Sequence, residues 1–267
     1  MASTQLMAIL NATPDSYFSA SRVLLDSLSE RVQKLEQEGT DIFDIGGEST
    51  RPGAEEVSLN DELRRVLPVI ECVRSMSQKP ISIDTMKPEV AEEAIQKGVT
   101  LINDISGLRD NRMIQLLQRY EHVECVIMHM LGKPKTMQNN PTYENGAVQS
   151  VYDFFSYKLD ELRQKGINPG RIILDPGIGF GKTLQDNLLL MRNVSYFKKI
   201  GCRLLYGVSR KLWIRDLLHR SVEERLPGTL AAALFLAQEG VDILRVHDVE
   251  AHKDALKTAS ILHMIGE

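Results

Sequence analysis

The residues of this sequence with the clearest chemical potential lie at the ends of short apolar runs. Asp84 ends the run at residues 81–83, Asp175 ends the run at residues 172–174, and Arg245 stands in the last such run. Carboxylates accept hydrogen bonds from the N–H groups of a planar ring, and arginine binds anionic groups such as phosphates. If these side chains met, they would suit a small, planar ligand that carries an anionic group.

A larger set of polar residues shares this position at or near the end of an apolar run. The set is Asn11, Asp44, Arg51, Asp84, Asn103, His129, Asp175, Ser209, Lys211, Arg245 and His247. Each residue alone has a simpler explanation, because Asp, Asn, Ser and Thr after a strand commonly cap the next helix. The set as a whole favours a binding site, because it combines ring-binding carboxylates and amides with several cations.

Short β-branched runs alternate with amphipathic stretches that end in glycine, for example at Gly39, Gly98, Gly166 and Gly240. Glycine just past a helix end takes the left-handed conformation, and a short apolar run suits a strand buried on both faces. The pattern predicts strands near residues 6–10, 42–45, 81–83, 101–104, 125–128, 172–175, 204–208 and 243–247. Helices are predicted between them, among others at residues 24–38, 61–76, 88–97, 151–165 and 249–264.

Strands that alternate with helices pair in parallel, and about eight such units in about 260 residues fit a closed (β/α)8 TIM barrel. The prediction is a single domain over residues 1–267, and an open doubly wound sheet is the alternative. In a barrel of this kind the active site lies at the carboxyl ends of the strands, where the polar residues stand. Residues 131–145 are predicted to form a mobile surface loop near the site.

Composition excludes several classes of protein. The 32 Lys and Arg residues against 36 Asp and Glu residues give a net charge of −4, which does not suit a polyanion binder. Three cysteines without a Cys-x-x-Cys pair suit neither a disulfide framework nor a cysteine zinc site. The longest apolar stretch is far shorter than a membrane span. We therefore expect a cytoplasmic protein that binds neither nucleic acid nor membranes.

The glycine-rich stretch at residues 175–183 resembles two nucleotide-binding motifs and matches neither. A phosphate loop would need glycine where Pro176 stands, and the Rossmann pattern would need glycine where Lys182 stands. We interpret the stretch as a tight turn that holds Asp175 toward the pocket. No His-Glu-x-x-His pattern occurs, so a zinc site is not expected.

Eight motifs follow one another in order along the chain: Asn11-Ala-Thr-Pro-Asp-Ser16, Asp44-Ile-Gly-Gly-Glu-Ser-Thr-Arg-Pro-Gly53, Ile83-Asp-Thr85, Asn103-Asp-Ile-Ser-Gly107, Met128-His-Met130, Asp175-Pro-Gly-Ile-Gly-Phe-Gly-Lys182, Gly207-Val-Ser-Arg-Lys211 and Arg245-Val-His-Asp248. With these motifs the sequence resembles the dihydropteroate synthase family, which has a pterin-binding TIM barrel. The resemblance covers nearly the whole chain. It implies a homodimeric transferase of folate biosynthesis, targeted by sulfonamides, that joins 6-hydroxymethyl-7,8-dihydropterin diphosphate to 4-aminobenzoate and releases pyrophosphate.

The same resemblance assigns roles to the motif residues. Residues that would hold the pterin are Asp84, Asn103, Asp175 and Lys211. Residues that would hold the diphosphate are Asn11, Arg245 and His247, with Asn11 as a ligand of the Mg²⁺ cofactor. Residues that would line the aminobenzoate side are Thr50, Arg51, Pro52 and Ser209, and Met128 and Gly207 complete the substrate-binding set. Of these, Asp84, Lys211, Arg245 and His247 are the predicted catalytic residues.

The first loop departs from the family pattern. After Ser16 the family usually continues Phe-Ser-Asp-Gly-Gly, whereas this chain has Tyr17, Phe18 and a shorter segment before the first predicted helix. A catalytically lapsed pterin-binding protein is therefore one alternative. A pterin-dependent methyltransferase barrel is another, although the Ser-Thr-Arg-Pro-Gly, Ser-Arg-Lys and Arg-x-His motifs belong to the synthase pattern.

Overall fold

The computed structural model describes residues 4–12, 22–48, 56–132, 137 and 141–264. In these residues eight parallel strands close into a barrel, in which each strand pairs with the next and the last pairs with the first. They are β1 (Gln5–Asn11), β2 (Ile42–Gly46), β3 (Ile81–Asp84), β4 (Leu101–Asp104), β5 (Glu124–Met128), β6 (Ile172–Asp175), β7 (Arg203–Tyr206) and β8 (Ile243–Val246). The prediction of a closed barrel is confirmed, and the open sheet is wrong.

At least one helix follows each strand. The α-helices of the described ranges are α1 (Arg22–Gln37), α2 (Leu59–Met76), α3 (Pro88–Gln96), α4 (Asn111–Arg119), α5 (Ala147–Gln164), α6 (Leu184–Arg192), α7 (Val194–Lys198), α8 (Leu212–Leu218), α9 (Leu226–Gln238) and α10 (Val249–Met264), and short 3-10 helices lie at Pro169–Arg171 and Glu223–Arg225. Most predicted bounds agree within two residues. Helix α5 begins earlier than the predicted residue 151, because the left-handed Gly146, at φ +77°, already ends the loop before it. None of the helices described is long and apolar enough to cross a membrane.

The barrel interior is packed in layers. One layer is fully apolar and consists of Met7, Ile42, Leu101, Val126, Ile173, Leu205 and Ile243. Side chains along a strand alternate between its two faces, so the residue two positions further on lies in the next interior layer toward the carboxyl end. The residues so placed are Ile9, Asp44, Asn103, Met128, Asp175, Gly207 and Arg245. A period of two therefore puts four polar residues, Asp44, Asn103, Asp175 and Arg245, directly above an apolar layer. Asp84 joins them because it pairs with Asn103 between β3 and β4, and these five residues form the polar layer.

Residues 131–145 lie partly outside the described ranges, so their predicted mobility stays a prediction. Met137 is buried against Met128 and Met130 rather than at the surface. The hydroxyl of Tyr143 donates a hydrogen bond to the carbonyl oxygen of Gly181 at 2.8 Å. These described parts of the segment thus pack against the glycine-rich turn after β6. The single domain over residues 1–267 also stays a prediction, because the chain ends are not described.

Candidate active site

A buried ion network crosses the polar layer of the barrel. Arg245 Nε donates to Asp44 Oδ2 at 2.5 Å, and Arg245 Nη2 donates to Asp84 Oδ2 at 2.6 Å. Asp44 is fully buried, and the side chains of Asp84 and Arg245 are 6% and 21% exposed. One guanidinium thus joins carboxylates from β2 and β3 to β8, and Arg245 keeps access to the mouth of the barrel.

Asp44 is the centre of this network, and the sequence analysis assigned it no role. It accepts a hydrogen bond from the Ser82 hydroxyl at 2.6 Å. The side-chain amide of Asn103 lies 3.4 Å and 3.5 Å from its two carboxylate oxygens. Its place at the end of an apolar run was the available signal, because Asp44 stands two positions after Ile42 as Asn103 stands after Leu101.

The charges in this network shift one another's titration. Burial raises the pKa of Asp84 to about 7, although the positive charge of Arg245 opposes the shift. Burial would lower the pKa of Arg245, but the carboxylates of Asp44 and Asp84 outweigh it and raise that pKa above its usual range. Arg245 therefore stays a cation, and Asp84 is the group whose charge changes near neutral pH.

Asp175 ends β6 and is held by the turn that follows it. Its Oδ1 accepts a hydrogen bond from the backbone N–H of Gly177 at 2.8 Å. Gly177, Gly179 and Gly181 all have positive φ, and a Cβ atom on Gly177 would lie 2.1 Å from the carbonyl oxygen of His129. The stretch is therefore a tight backbone turn, as the sequence indicated. Burial raises the pKa of Asp175, and the positive charge of Lys211 opposes that shift most strongly.

Lys211 rests on the same turn. Its Nζ donates to the carbonyl oxygen of Ile178 at 2.6 Å and lies 4.7 Å from the centre of the Phe180 ring. Burial lowers the pKa of Lys211 to about 8, and the charge of Asp175 opposes the shift. A Cβ atom on Gly207 would lie 3.6 Å from Lys211 Nζ and 3.9 Å from Arg245 Cβ. Gly207 thus leaves open space between the two cations.

His247 stands just after β8 and contacts Ser209. The Ser209 hydroxyl lies 3.0 Å from His247 Nδ1 and accepts the backbone N–H of His247 at 3.3 Å. Next to this pair, Arg210 forms two hydrogen bonds with the carboxylate of Asp248. The loops after β7 and β8 are thus joined by two adjacent pairs of side chains.

Some of the other predicted site residues are described by the structure, and the rest lie outside the described ranges. Met128 ends β5 and is buried, and Asn11 ends β1 with its side chain exposed. Thr50, Arg51 and Pro52 lie outside the described residues, as do Tyr17 and Phe18 of the first loop. The structure thus brings together the residues predicted to hold the pterin, and places Asn11, His247 and Ser209 at the strand ends of the same barrel.

A metal would find few protein ligands here. In the parts of the chain that are described, no group of three His, Cys, Asp or Glu side chains could hold a metal ion. Mg²⁺ usually keeps several waters and binds through one or two protein oxygens together with substrate phosphates. The exposed amide oxygen of Asn11 fits such a partly hydrated ion that arrives with a diphosphate.

Comparisons with known proteins agree with this site. The pterin binding enzyme family matches residues 7–247. Dihydropteroate synthase of Haemophilus influenzae is 45% identical over 254 residues, which cover 95% of this chain and 92% of that protein. The structure of Yersinia pestis dihydropteroate synthase in a sulfonamide drug complex has a TM-score of 0.90 at 36% identity, covering 98% of this chain and 94% of that one. Xanthomonas albilineans dihydropteroate synthase in complex with 7,8-dihydropteroate has a TM-score of 0.86 at 35% identity, covering 98% and 95%.

The fold and the polar layer at the strand ends therefore define a pterin-binding barrel enzyme. The level of identity and the near-complete coverage narrow this class further. The chain belongs to the dihydropteroate synthase family.

Proposed function

We propose that the chain catalyses the condensation of 6-hydroxymethyl-7,8-dihydropterin diphosphate with 4-aminobenzoate, which yields 7,8-dihydropteroate and pyrophosphate in folate biosynthesis. It is thus a transferase of a pterin-methyl group. The observation that carries the proposal is the polar layer, in which Asp84 and Asn103 lie on adjacent strands and Asp175 two strands further on, with Lys211 held on the turn after β6. The resemblance to a synthase bound to 7,8-dihydropteroate supports the identity of the product.

The carboxylates are suited to the edge of a reduced pterin. That edge carries ring N–H and amino donors, and ionised Asp84 and Asp175 can only accept hydrogen bonds. Both are buried, so a hydrogen bond to either is shielded from water. Asn103 can both donate and accept, which suits a ring edge that alternates donors with acceptors. Lys211 adds a donor at the side of Asp175.

The bond that breaks joins the exocyclic methylene carbon to a diphosphate oxygen, and its electron pair leaves with pyrophosphate. Positive charge then develops on the methylene carbon, and the electron-rich reduced pterin delocalises it. Asp84 and Asp175 favour that cationic ring, while Arg245 and His247 stabilise the charge on the leaving group. The reaction is therefore SN1-like. The nitrogen lone pair of 4-aminobenzoate then forms the new C–N bond, and the nitrogen releases a proton.

No strong general base is needed for the second half of this reaction. The aniline nitrogen is already neutral at pH 7, so its lone pair is available without prior deprotonation.

Arg245 is held by Asp44 and Asp84 before any ligand binds, which fixes its charge at the mouth of the barrel. Such preorganised charges need no reorientation when pyrophosphate leaves.

The proposal includes Mg²⁺ as the cofactor, with Asn11 as its protein ligand. When bound, the ion would neutralise charge on the diphosphate and so stabilise the leaving group. Asn11 supports this role because its exposed amide stands at the carboxyl end of β1, on the same side as Asp84 and Arg245. Binding of pterin diphosphate to an Asn11→Ala variant, titrated with Mg²⁺, would test it.

For 4-aminobenzoate the proposal keeps the residues that the sequence indicated, Thr50, Arg51, Pro52 and Ser209. Of these, Ser209 is described, and its hydroxyl contacts His247 at the mouth of the site. Arg51 supplies a cation that suits the carboxylate of 4-aminobenzoate. The structure of the Yersinia pestis relative in a sulfonamide drug complex supports the expectation that this chain too is a sulfonamide target.

A single assay separates this function from the two alternatives. The purified chain is incubated with pterin diphosphate, 4-aminobenzoate and Mg²⁺, and released pyrophosphate is measured beside 7,8-dihydropteroate. Equal release of both products is the expected result. A lapsed binding protein would bind pterin diphosphate in a calorimeter and release no pyrophosphate. A methyltransferase would give neither product and would require a methylated pterin and a methyl acceptor.

The proposed homodimer has a candidate surface on α8 and α9. Leu217, Leu218 and Phe235 are more than two-fifths exposed, at 45%, 46% and 41%, around a groove of about 640 Å³ that Trp213 also lines. Exposed apolar patches of this kind commonly mark protein interfaces. A Phe235→Glu variant should sediment as a monomer. The matched control is Tyr157→Glu, which removes an exposed aromatic residue from a different helix.

A cytoplasmic location is also part of the proposal. Cys72, Cys125 and Cys202 are all free thiols, which suits a reducing compartment. Cell fractionation with antibodies against the chain would test this location.

A further inference from the structure

Lys182 is a buried lysine next to the candidate active site. The proposed reaction assigns it no role. It is 3% exposed and lies between the end of β5 and the turn after β6. Its Nζ lies 3.1 Å from the carbonyl oxygen of His129, 3.0 Å from that of Phe180 and 3.1 Å from His129 Nδ1. None of these three hydrogen-bond partners is a carboxylate.

The three neighbours of Lys182 match the three donors of an ammonium group. Burial lowers the pKa of His129 to about 3, so its ring is neutral at pH 7 and Nδ1 can accept a hydrogen bond. The His129 ring is held in place by an edge contact with Phe154 at 5.2 Å between centroids. Burial lowers the pKa of Lys182 to about 7, and the charge of Asp175 opposes that shift. The three acceptors together favour the charged form.

The hydrogen bonds of Lys182 join the residue after β5, His129, to the far side of the glycine-rich turn at Phe180. His129 directly follows β5, and its carbonyl oxygen packs against Gly177 at the start of the turn. The carbonyl of Phe180 belongs to the far side of the turn. The same turn supplies the N–H that binds Asp175, the carbonyl that binds Lys211, and the ring beside Lys211 Nζ.

We propose that Lys182 is a positioning residue for the pterin pocket: it fixes the turn at residues 177–181, and through that turn the placement of Asp175 and Lys211. It acts without touching the ligand. Its charge also favours the ionised form of Asp175, the form that accepts hydrogen bonds from the ring. This proposal rests on the proposed pterin site.

The test is binding of pterin diphosphate to Lys182→Met, measured by calorimetry across a pH series. Methionine keeps the length of the side chain and removes its charge and its three donors. We expect the Kd to rise about ten-fold, because the turn no longer holds Asp175 and Lys211 in place and about one charge-assisted hydrogen bond between the pocket and the ring is lost. We also expect the acidic fall in affinity to move to higher pH, because Asp175 loses a neighbouring cation. A role in stability alone would lower the melting temperature and leave this pH dependence unchanged.

Two further variants make the test decisive. Tyr143→Phe removes a different hydrogen bond to the same turn, the one to Gly181, and carries no charge change. We expect its Kd to stay within about two-fold of the original. An equally large rise in Tyr143→Phe would overturn the special role of Lys182. If Lys182→Met does not fold, His129→Leu removes one acceptor of Lys182 and should raise the Kd in the same direction.

The outcomes also separate this inference from the proposed function. If the unaltered chain binds no pterin diphosphate, the proposed function fails. If the unaltered chain binds it and the folded Lys182→Met variant binds it equally well at every pH, the function stands and the positioning role is wrong.

Discussion

Arg245 and Asp84 are 161 positions apart in the chain, and Arg245 Nη2 donates to Asp84 Oδ2 at 2.6 Å. Their strands, β8 and β3, are not neighbours in the barrel, so the bond crosses its interior. The resemblance to the synthase family placed Asp84 with the pterin and Arg245 with the diphosphate. The contact joins these two predicted parts of the site, so that a change at one alters the charge at the other.

This contact predicts that Arg245→Ala loses stability as well as turnover. The substitution would leave Asp44 and Asp84 without their guanidinium, and Asp44 is fully buried. Removing one partner of a buried ion pair commonly costs about 3–5 kcal/mol. Urea denaturation of the variant should show a loss of this order, together with strongly reduced pyrophosphate release.

The matched variant is His247→Ala, because His247 lies at the same strand end and contacts the neutral Ser209 hydroxyl. Its turnover should fall at least about ten-fold, as expected for one charge-assisted contact to the leaving group. Its free energy of unfolding should change by about 1 kcal/mol, the cost of a neutral hydrogen bond. Equal losses of stability in both variants would contradict the ion network described here.

The two carboxylates of the pterin pocket should be measurable without the second substrate. Asp84→Asn and Asp175→Asn replace an acceptor by a group that can turn a donor toward the ring. Each charge-assisted hydrogen bond lost costs about 1.5–3 kcal/mol, which is roughly a 10- to 150-fold increase in Kd. Calorimetry with pterin diphosphate alone measures this directly.

Asp104→Asn is the control for those carboxylates. Asp104 also ends a strand and is buried, but its oxygens accept the backbone N–H groups of Ser106 and Leu108. Its substitution should lower the melting temperature and leave the Kd for pterin diphosphate nearly unchanged. A loss of affinity as large as that of Asp84→Asn would mean that carboxylates at strand ends act through stability rather than by binding the ring.

Much of the fold could be predicted because local patterns determine it. The apolar runs at β3 and β6 end in Asp84 and Asp175, and a parallel barrel gathers such ends on one side. The period of two in a strand then places Asp175 above the apolar Ile173. These relations are present in the spacing of the residues, so the sequence alone indicated them.

The pairing inside the polar layer could not be predicted in the same way. Which carboxylates form ion pairs with Arg245 depends on the curvature of the barrel, because that curvature makes β8 face β2 and β3 across the interior. Asp44 was visible as a strand end but had no role in the motif-based assignment. Lys182 belongs to the stretch that resembles nucleotide-binding motifs. Nothing in the spacing of that stretch indicated that the Lys182 amine would bond to His129. Contacts between distant segments of this kind depend on tertiary packing.

The pH dependence of the reaction should reflect the two carboxylates and the lysine of the pterin pocket. Asp84 and Asp175 must be ionised to accept hydrogen bonds from the ring, and burial raises the pKa of both, that of Asp84 to about 7. Lys211 must be protonated to act as a cation, and burial lowers its pKa to about 8. The value of kcat/KM for pterin diphosphate should therefore fall as the pH drops below about 7 and fall again as the pH rises above about 8.

Lys211→Arg separates the two limbs of that profile. A guanidinium keeps its charge well above the pH at which a buried ammonium loses it. The alkaline limb should therefore move to higher pH, while the acidic limb stays in place even if the maximum is lower. An alkaline limb that does not move would assign it to a group other than Lys211.

The last prediction concerns Gly177, where the turn after β6 approaches the end of β5. Its φ is +71°, and a Cβ atom would lie 2.1 Å from the carbonyl oxygen of His129. Gly166 has a similar φ of +78°, and a Cβ atom there would have no neighbour within 4 Å. Gly166→Ala therefore measures the backbone strain alone, about 1–2 kcal/mol. Gly177→Ala should lose clearly more stability and should also weaken pterin diphosphate binding, because the turn must move away from Asp175. If both variants lose the same stability and bind the ligand equally, the close approach at His129 does not hold the pocket in place.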